Sequence, residues 1–535
     1  MRLLKTLSFS IICGLFSCQQ TITSQQTINQ EEETYTEDWE SLAKANKSPE
    51  WYKDAKFGIY THWGPVSGAF VNMDKNEYLG GWHGMLMYGK DGLPNWKTGE
   101  YPKKKDGTPD HSPTSNYLHH VEQFGDPKDF GYKYLIENFK PTGFDAEKWA
   151  ELFEKSGAKF AGPVAIHHDN FAMWDSKMTR WNSVNYGGVD ISKELKNSVE
   201  KRGMKFIASF HHAFTWKYFI PAHEYGGISP EDYDLYTTPH GYDSNMPTKE
   251  YHDEWWAKLK EYIDDYQPDI IWFDWWLENM DEKYRQKFLS YYYNKGKEWN
   301  KEVVVMFKET TFPEPTAIRD YERGRPNQPK EDAWVTDTSP GTWFYRSNAK
   351  FVDTNELVDI LIDIVSKNGN MLLNVPPNPD GTIPPEMENL LTDMGQWLEV
   401  NGEAIYGTRP WTIFGEGPTR IPAGGHKIER KKIVYKANDI RFTKKNNNEF
   451  YAFVMDTPSG DIVIETLSTR FGILNNAIEK IQLVGSDEPL KWERTDLGVV
   501  IKRPSSFPTK YAHAFKIQCE GYKETDIGGD LEQAL

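Results

Sequence analysis

Gln267-Pro268-Asp269-Ile270-Ile271-Trp272-Phe273-Asp274-Trp275-Trp276 is the stretch on which the reading of this chain turns. Ile270 to Phe273 are wholly apolar, the pattern of a strand buried on both faces in a helix-covered parallel sheet. The run ends in a carboxylate, Asp274, set among Trp272, Phe273, Trp275 and Trp276. In a (β/α)8 barrel, catalytic side chains project from the C-terminal ends of the strands. A carboxylate there, walled by indole rings, suits an enzyme that cleaves sugars. Taken alone, the motif reads better as a helix cap among core tryptophans. The flanking sequence reverses that preference.

Outward from this strand, helices and strands alternate. Upstream, Lys56 to Thr61 reads as a strand ending at His62. The segment Phe144 to Phe153 reads as a helix with Asp145 as N-cap, Glu147 favouring the positive end, and Trp149, Leu152 and Phe153 on one face. Gly157 supplies its stop. Lys159 to Ile166 then delivers His167-His168-Asp169, and Lys205 to Phe210 delivers His211-His212. Downstream strands are expected at Val303 to Phe307, Trp334 to Thr336 and Met371 to Val375, seven in all, with the eighth short or hidden in irregular sequence. His62, His167, His168, His211, Asp274 and Lys308 each fall just past a strand, so a barrel gathers them at one mouth.

At 535 residues the chain is too long for one ordinary domain. The expected organisation is a signal peptide at 1–17, a flexible tether at 18–37, an α/β catalytic (β/α)8-like barrel at 38–410 and an antiparallel β-sandwich at 411–522. A Gly/Pro/Lys-rich excursion at about 72–126 is too irregular for barrel walls and reads as loops over one face. Beyond Trp411, alternating segments such as Glu449 to Met455 and Asp461 to Glu465 carry the sandwich.

Aromatic residues make up 14% of the chain, with 20 Trp and 29 Tyr, and their flat faces lean towards carbohydrate partners. The net charge of -17, with no basic run beyond Lys103-Lys104-Lys105 and Arg430-Lys431-Lys432, disfavours nucleic acid or an anionic membrane surface. Cys13, Cys18 and Cys519 provide neither a disulfide framework nor a cysteine metal site. Arg2 and Lys5 precede an apolar stretch, Leu7 to Phe16, that reads as a secretory signal too short to span a bilayer permanently. It ends Leu15-Phe16-Ser17-Cys18, which resembles a bacterial lipobox with Cys18 as the lipidated residue; plain cleavage nearby is the alternative. Export is therefore expected, to the periplasm or the outer-membrane surface, with membrane contact only through a lipid anchor.

Five motifs stand in order: Trp51-Tyr52 with Phe57-Gly58-Ile59-Tyr60-Thr61-His62-Trp63-Gly64; His167-His168-Asp169-Asn170-Phe171-Ala172-Met173-Trp174-Asp175-Ser176; Trp272-Phe273-Asp274; Asn368 to Val375; and Asn401 to Trp411. Together they resemble the alpha-L-fucosidases of glycoside hydrolase family 29, from Trp51 through the C-terminal sandwich, with 72–126 interrupting. The resemblance implies a retaining exo-glycosidase that acts on an oligo- or polysaccharide and needs no cofactor. It makes Asp274 the nucleophile. Retaining chemistry needs a second carboxyl about 5 Å away that protonates the leaving oxygen and later activates water. Asp274 must stay ionised, while burial or a like charge should raise the pKa of the acid. Glu322, in Asp320-Tyr321-Glu322-Arg323-Gly324-Arg325, lies where the family carries this acid/base, with Glu309 and Glu314 as rivals. The plainer reading pairs Glu322 with Arg323 or Arg325 at the surface.

His62, His167 and His168 match family residues that hydrogen-bond sugar hydroxyls. No metal is expected: neighbours on a strand point to opposite faces, so each histidine pair offers one ring to a common centre, and no His-x-x-x-His helix is present. Trp82, Trp216 and Trp343 are the expected aromatic walls. Three positions depart from the resemblance: Gly81-Trp82 stands for a Glu-Trp pair, Lys308 for an Arg, and His211 for a Tyr. Gly81 and Lys308 are where the pocket would open for an extra hydroxyl or a sulfate. That makes alpha-L-galactosidase the neighbouring reading, since an apolar pocket rejects one added hydroxyl by only about 100-fold. A glycan-binding lipoprotein without catalysis is the reading from another class.

Overall fold

The computed structural model describes residues 34–71, 80–421 and 432–520. The expected signal peptide, Cys18 and most of the tether lie outside the described residues. The apolar run at the centre of the sequence analysis forms the strand Ile270–Phe273 (β4), every residue buried. Around it stand Phe57–Thr61 (β1), Phe160–Ile166 (β2), Lys205–Phe210 (β3), Val304–Phe307 (β5), Ile318–Arg319 (β6), Trp334–Thr338 (β7) and Gly369–Asn374 (β8). They form one parallel sheet in the order β6-β5-β4-β3-β2-β1-β8-β7. A parallel bridge between Asp320 and Val335 brings the two edges together, so the sheet curls into a barrel.

The helices that cover the barrel follow local rules. Asp145 accepts a hydrogen bond from the Lys148 amide at 3.1 Å and so caps Ala146–Lys155. Trp149 and Phe153 are buried, and Gly157, at φ 93°, turns the chain in a conformation that favours glycine. Inside the barrel, Gly162 of β2 lets the neighbouring strand approach, because a Cβ there would sit 1.7 Å from the Ile207 carbonyl oxygen.

Two strands differ from the sequence expectation. The missing eighth strand is β6, only two residues long, which presents no apolar run to read. β7 continues two residues beyond Thr336 and takes in Asp337 and Thr338, both buried. Inside the wall, Asp337 Oδ2 accepts from the Tyr60 hydroxyl at 2.9 Å.

From Arg409 onward the strands are antiparallel. A five-stranded sheet and a three-stranded sheet enclose Trp411, Phe442, Phe450, Ile462, Val499 and Phe515. The helix Thr354–Ser366 joins this region to the barrel. Its fully buried Asp363 accepts from Arg441 Nε at 2.8 Å and from Lys367 Nζ at 2.9 Å. Burial alone would push the Asp363 carboxyl up, but Lys367, Arg325 and Arg441 hold it well below the usual carboxylate range.

Candidate active site

The C-terminal ends of the strands surround a cavity of about 690 Å³. His62 enters from β1, His167 and His168 from β2, His211 from β3, Asp274 from β4 and Lys308 from β5; Glu322 follows β6, and Trp343 follows β7. Trp82 comes from the excursion between β1 and β2. Eight of the expected site residues therefore share one cavity with Asp274.

Trp216 does not. Its indole is buried, donates to the Ser244 carbonyl at 3.0 Å and stacks on His240 at 3.7 Å between ring centres. The short helix Thr215–Tyr218 turns it away from the cavity, where it packs as core. The expectation that it walls the pocket is corrected.

Asp274 is the electrostatic centre. Its Oδ1 accepts from Lys308 Nζ at 3.1 Å and its Oδ2 from His211 Nδ1 at 3.0 Å. His168 Nε2 lies 3.5 Å from the same Oδ2. Burial by itself would push this carboxyl up, but Lys308 and then His211 more than offset it, and Asp274 sits well below the usual carboxylate range. The Lys308 ammonium also donates to Glu322 Oε2 at 2.9 Å and contacts Asp337 Oδ2 at 3.0 Å. Burial opposes its charge, yet Asp274, Asp337, Glu322 and Asp320 together push its pKa well above the ordinary lysine value. Since Asp274 and Glu322 share one ammonium, these two oxygens lie at most about 6 Å apart, compatible with the roughly 5 Å spacing of a retaining pair.

The arginines beside Glu322 are occupied elsewhere. Arg323 lies over the Trp343 ring at 4.7 Å and donates to the Gly341 carbonyl, while Arg325 is buried 3.5 Å from Asp363. Glu314 is exposed and pairs with Arg319 at 3.6 Å, outside the cavity, whereas Glu309 lines it.

The histidines are held neutral by burial, which drives His62 and His167 well below the ordinary value and His168 down to about 4. His62 Nδ1 donates to Asn374 Oδ1 at 2.9 Å, and His168 Nδ1 donates to the His211 carbonyl at 2.9 Å. In each the Nε2 lone pair remains to accept from a hydroxyl. Of His211 and His212 only His211 lines the cavity, while His212 stacks on Trp255 in the core. His167 and His168 both line the cavity; β2 ends at Ile166 and β3 at Phe210, so strand alternation governs neither pair. Ring nitrogens of His62, His167 and His211 lie within 4.8 Å of one another, as do those of His168 and His211 with an Asp274 oxygen, so either set has the donors to hold a metal. The same rings also suit sugar hydroxyls.

Sequence reasoning missed several lining residues: Trp96, Glu278, Phe344, Arg346 and Asp337. Glu278 stands four residues beyond Asp274, and burial raises its carboxyl, which is the signature expected of an acid. The Gly81 position does not open a void. A Cβ there would lie 3.2 Å from both His167 Cε1 and Phe344 Cε2, so aromatic rings fill the place where a side chain would stand.

Comparison with known proteins agrees with this geometry. The family profile described as alpha-L-fucosidase matches residues 22–403, and that of the alpha-L-fucosidase C-terminal domain matches 435–518. The tissue alpha-L-fucosidase of Rattus norvegicus is 28% identical over 502 residues, covering 90% of this chain and 92% of that protein. An alpha-L-fucosidase of Dictyostelium discoideum is also 28% identical, over 499 residues, covering 89% of this chain and 93% of the other. Among solved structures, the Thermotoga maritima alpha-fucosidase in complex with fucose superposes with a TM-score of 0.68 at 27% identity, covering 90% of this chain and all 100% of that one.

Proposed function

This chain belongs to the alpha-L-fucosidase family and is a glycosidase, and from that premise we propose that it releases terminal alpha-L-fucose from glycans by double displacement, with Asp274 as nucleophile and Glu322 as acid/base. The observation that carries the reading is the single buried ammonium of Lys308, which touches both carboxyls at 3.1 and 2.9 Å beneath one cavity. Asp274, ionised at any physiological pH, attacks the anomeric carbon while Glu322 gives its proton to the leaving oxygen. Water then enters, Glu322 takes its proton, and the ester to Asp274 breaks. His62 and His168 accept from ring hydroxyls through Nε2, and Trp82 and Trp343 pack against the sugar's carbon faces. A related structure described in complex with fucose supports the choice of sugar.

The test is the initial rate on an aryl alpha-L-fucoside for the parent, Asp274→Asn, Glu322→Gln, Glu278→Gln and Glu309→Gln. Asp274→Asn should lose at least about 1,000-fold in kcat, a barrier increase of roughly 4 kcal/mol. Glu322→Gln should lose kcat/KM on poor leaving groups and nearly keep it on dinitrophenol, while kcat on dinitrophenol falls because the second step has lost its base. Should Glu278→Gln show that leaving-group pattern and Glu322→Gln not, the acid is Glu278.

We also propose that the chain is exported and lipidated at Cys18, supported by Arg2, Lys5, the apolar stretch to Phe16 and the lipobox-like Leu15-Phe16-Ser17-Cys18. Loss of palmitate labelling in Cys18→Ala is the expected result, and labelling that persists would refute it.

A further inference from the structure

We propose that Asp337, a carboxylate outside the two-carboxyl reaction, is a positioning residue that pins the Lys308 ammonium between Asp274 and Glu322. The inference rests on the roles proposed for those two residues.

The ammonium offers three N–H groups, and three carboxylate oxygens surround it: Asp274 Oδ1 at 3.1 Å, Glu322 Oε2 at 2.9 Å and Asp337 Oδ2 at 3.0 Å. Two of these partners exchange charge during each turnover. When the glycosyl ester forms, Asp274 loses its negative charge and Glu322, having given up its proton, gains one. In the second half the change reverses. A lysine is a point charge on a flexible stem, without the rigid fork that orients an arginine. Held by those two groups alone, it would swing towards whichever is charged at that moment. Asp337 takes no part in the exchange and provides the fixed third point.

Asp337 is itself fixed from several sides. It is 1% exposed, and its Oδ2 also accepts from the Tyr60 hydroxyl of β1 at 2.9 Å. Its amide donates to Asp320 Oδ1 at 3.1 Å, and Asp320 Oδ2 accepts from the Trp272 indole of β4 at 2.5 Å. That indole lies under the Lys308 ammonium at 4.7 Å. The groups facing Asp337 are therefore Tyr60 from β1, Trp272 and Asp274 from β4, Lys308 after β5, and Asp320 and Glu322 after β6. Burial pushes both Asp337 and Asp320 up, and each like charge nearby adds to it, so this pair retains a proton more readily than free carboxyls do.

The test is a double-mutant cycle between Asp337→Asn and Lys308→Met on an aryl alpha-L-fucoside. Asp337→Asn keeps the shape and removes the charge. We expect kcat to fall by at least 30-fold with KM within threefold, and the basic limb of the pH profile to move by more than half a unit. In the Lys308→Met background the same change should cost less than threefold. If Asp337→Asn does not fold, Tyr60→Phe serves as the second variant, with a several-fold loss in kcat that also vanishes beside Lys308→Met. Unchanged kcat and pH profile, or two effects that multiply, would overturn the inference. An Asp274→Gly control separates it from the premise: turnover lost and restored by azide upholds the nucleophile whatever Asp337 does, whereas turnover retained would sink both.

Discussion

Replacing Lys308 by Met removes the ammonium that touches Asp274 and leaves the side-chain volume nearly unchanged. The ammonium is 3.1 Å from Asp274 Oδ1 and only 6% exposed. At that distance and an effective dielectric of about 20, the attraction is roughly 5 kcal/mol. At about 1.4 kcal/mol per pH unit, that corresponds to a rise of roughly 4 units in the Asp274 pKa. Protonation of neighbouring Asp337 and Asp320 would absorb part of it, so a rise of at least about 2 units is the expected outcome. The sign follows from the physics: burial already pushes this carboxyl up, and Lys308 is the largest of the influences that hold it down. In the parent, Asp274 is ionised across the whole working range. In Lys308→Met, kcat/KM should develop an acid limb and fall steeply as pH drops through it. The assay is the pH dependence of kcat/KM on an aryl alpha-L-fucoside, with circular dichroism at each pH to confirm folding. An acid limb that moves by less than half a unit would refute the reasoning, because Lys308 would then not be the counter-charge.

Other outcomes follow from burial elsewhere. Lys56 is fully buried at φ 58°, its Nζ has no hydrogen-bond partner among the described residues, and burial pulls its pKa down to about 7. Lys56→Met should stabilise the fold by roughly 3–5 kcal/mol at pH 7 or below. The gain should shrink as pH rises from about 7 towards 10.5, where the unfolded lysine still binds a proton and the folded one does not; urea midpoints at pH 6 and 10 that differ from the parent equally would refute this. His120, buried and donating to the Phe130 carbonyl at 2.7 Å, is lowered by burial to about 4. Its depressed pKa removes about 3 kcal/mol of stability as pH falls from 6.5 to 4, and His120→Gln should flatten the melting temperature over that window. Trp343→Ala should raise KM with little change in melting temperature. Trp216→Ala should instead lose about 3–5 kcal/mol of stability, while the folded fraction keeps its kcat/KM.

The barrel was legible because its walls obey local rules. Strands buried on both faces must be apolar, as Ile270 to Phe273 are, and capped amphipathic helices such as Ala146–Lys155 must lie between them. The placement of His62, His211, Asp274 and Lys308 followed from the same reasoning, since each stands immediately past such a run. β6 escaped because two residues carry no periodicity, and Trp216 was misplaced because a tryptophan near a strand end looks the same whether it faces the cavity or the core. His167 and His168 show the limit of alternation, which constrains side chains only while the strand lasts.

Residue identity and order alone determined the fold class, the family resemblance and the carboxylate at the end of β4, because each depends on patterns within a few consecutive residues. Tertiary structure alone decided which charges meet. Asp274, Lys308, Glu322 and Asp337 lie on four different strand ends or loops, and the sharing of one ammonium among three carboxyls exists only once the barrel closes. Electrostatic energy depends on distance through space and on exclusion of water, neither of which is written in the spacing of residues along the chain.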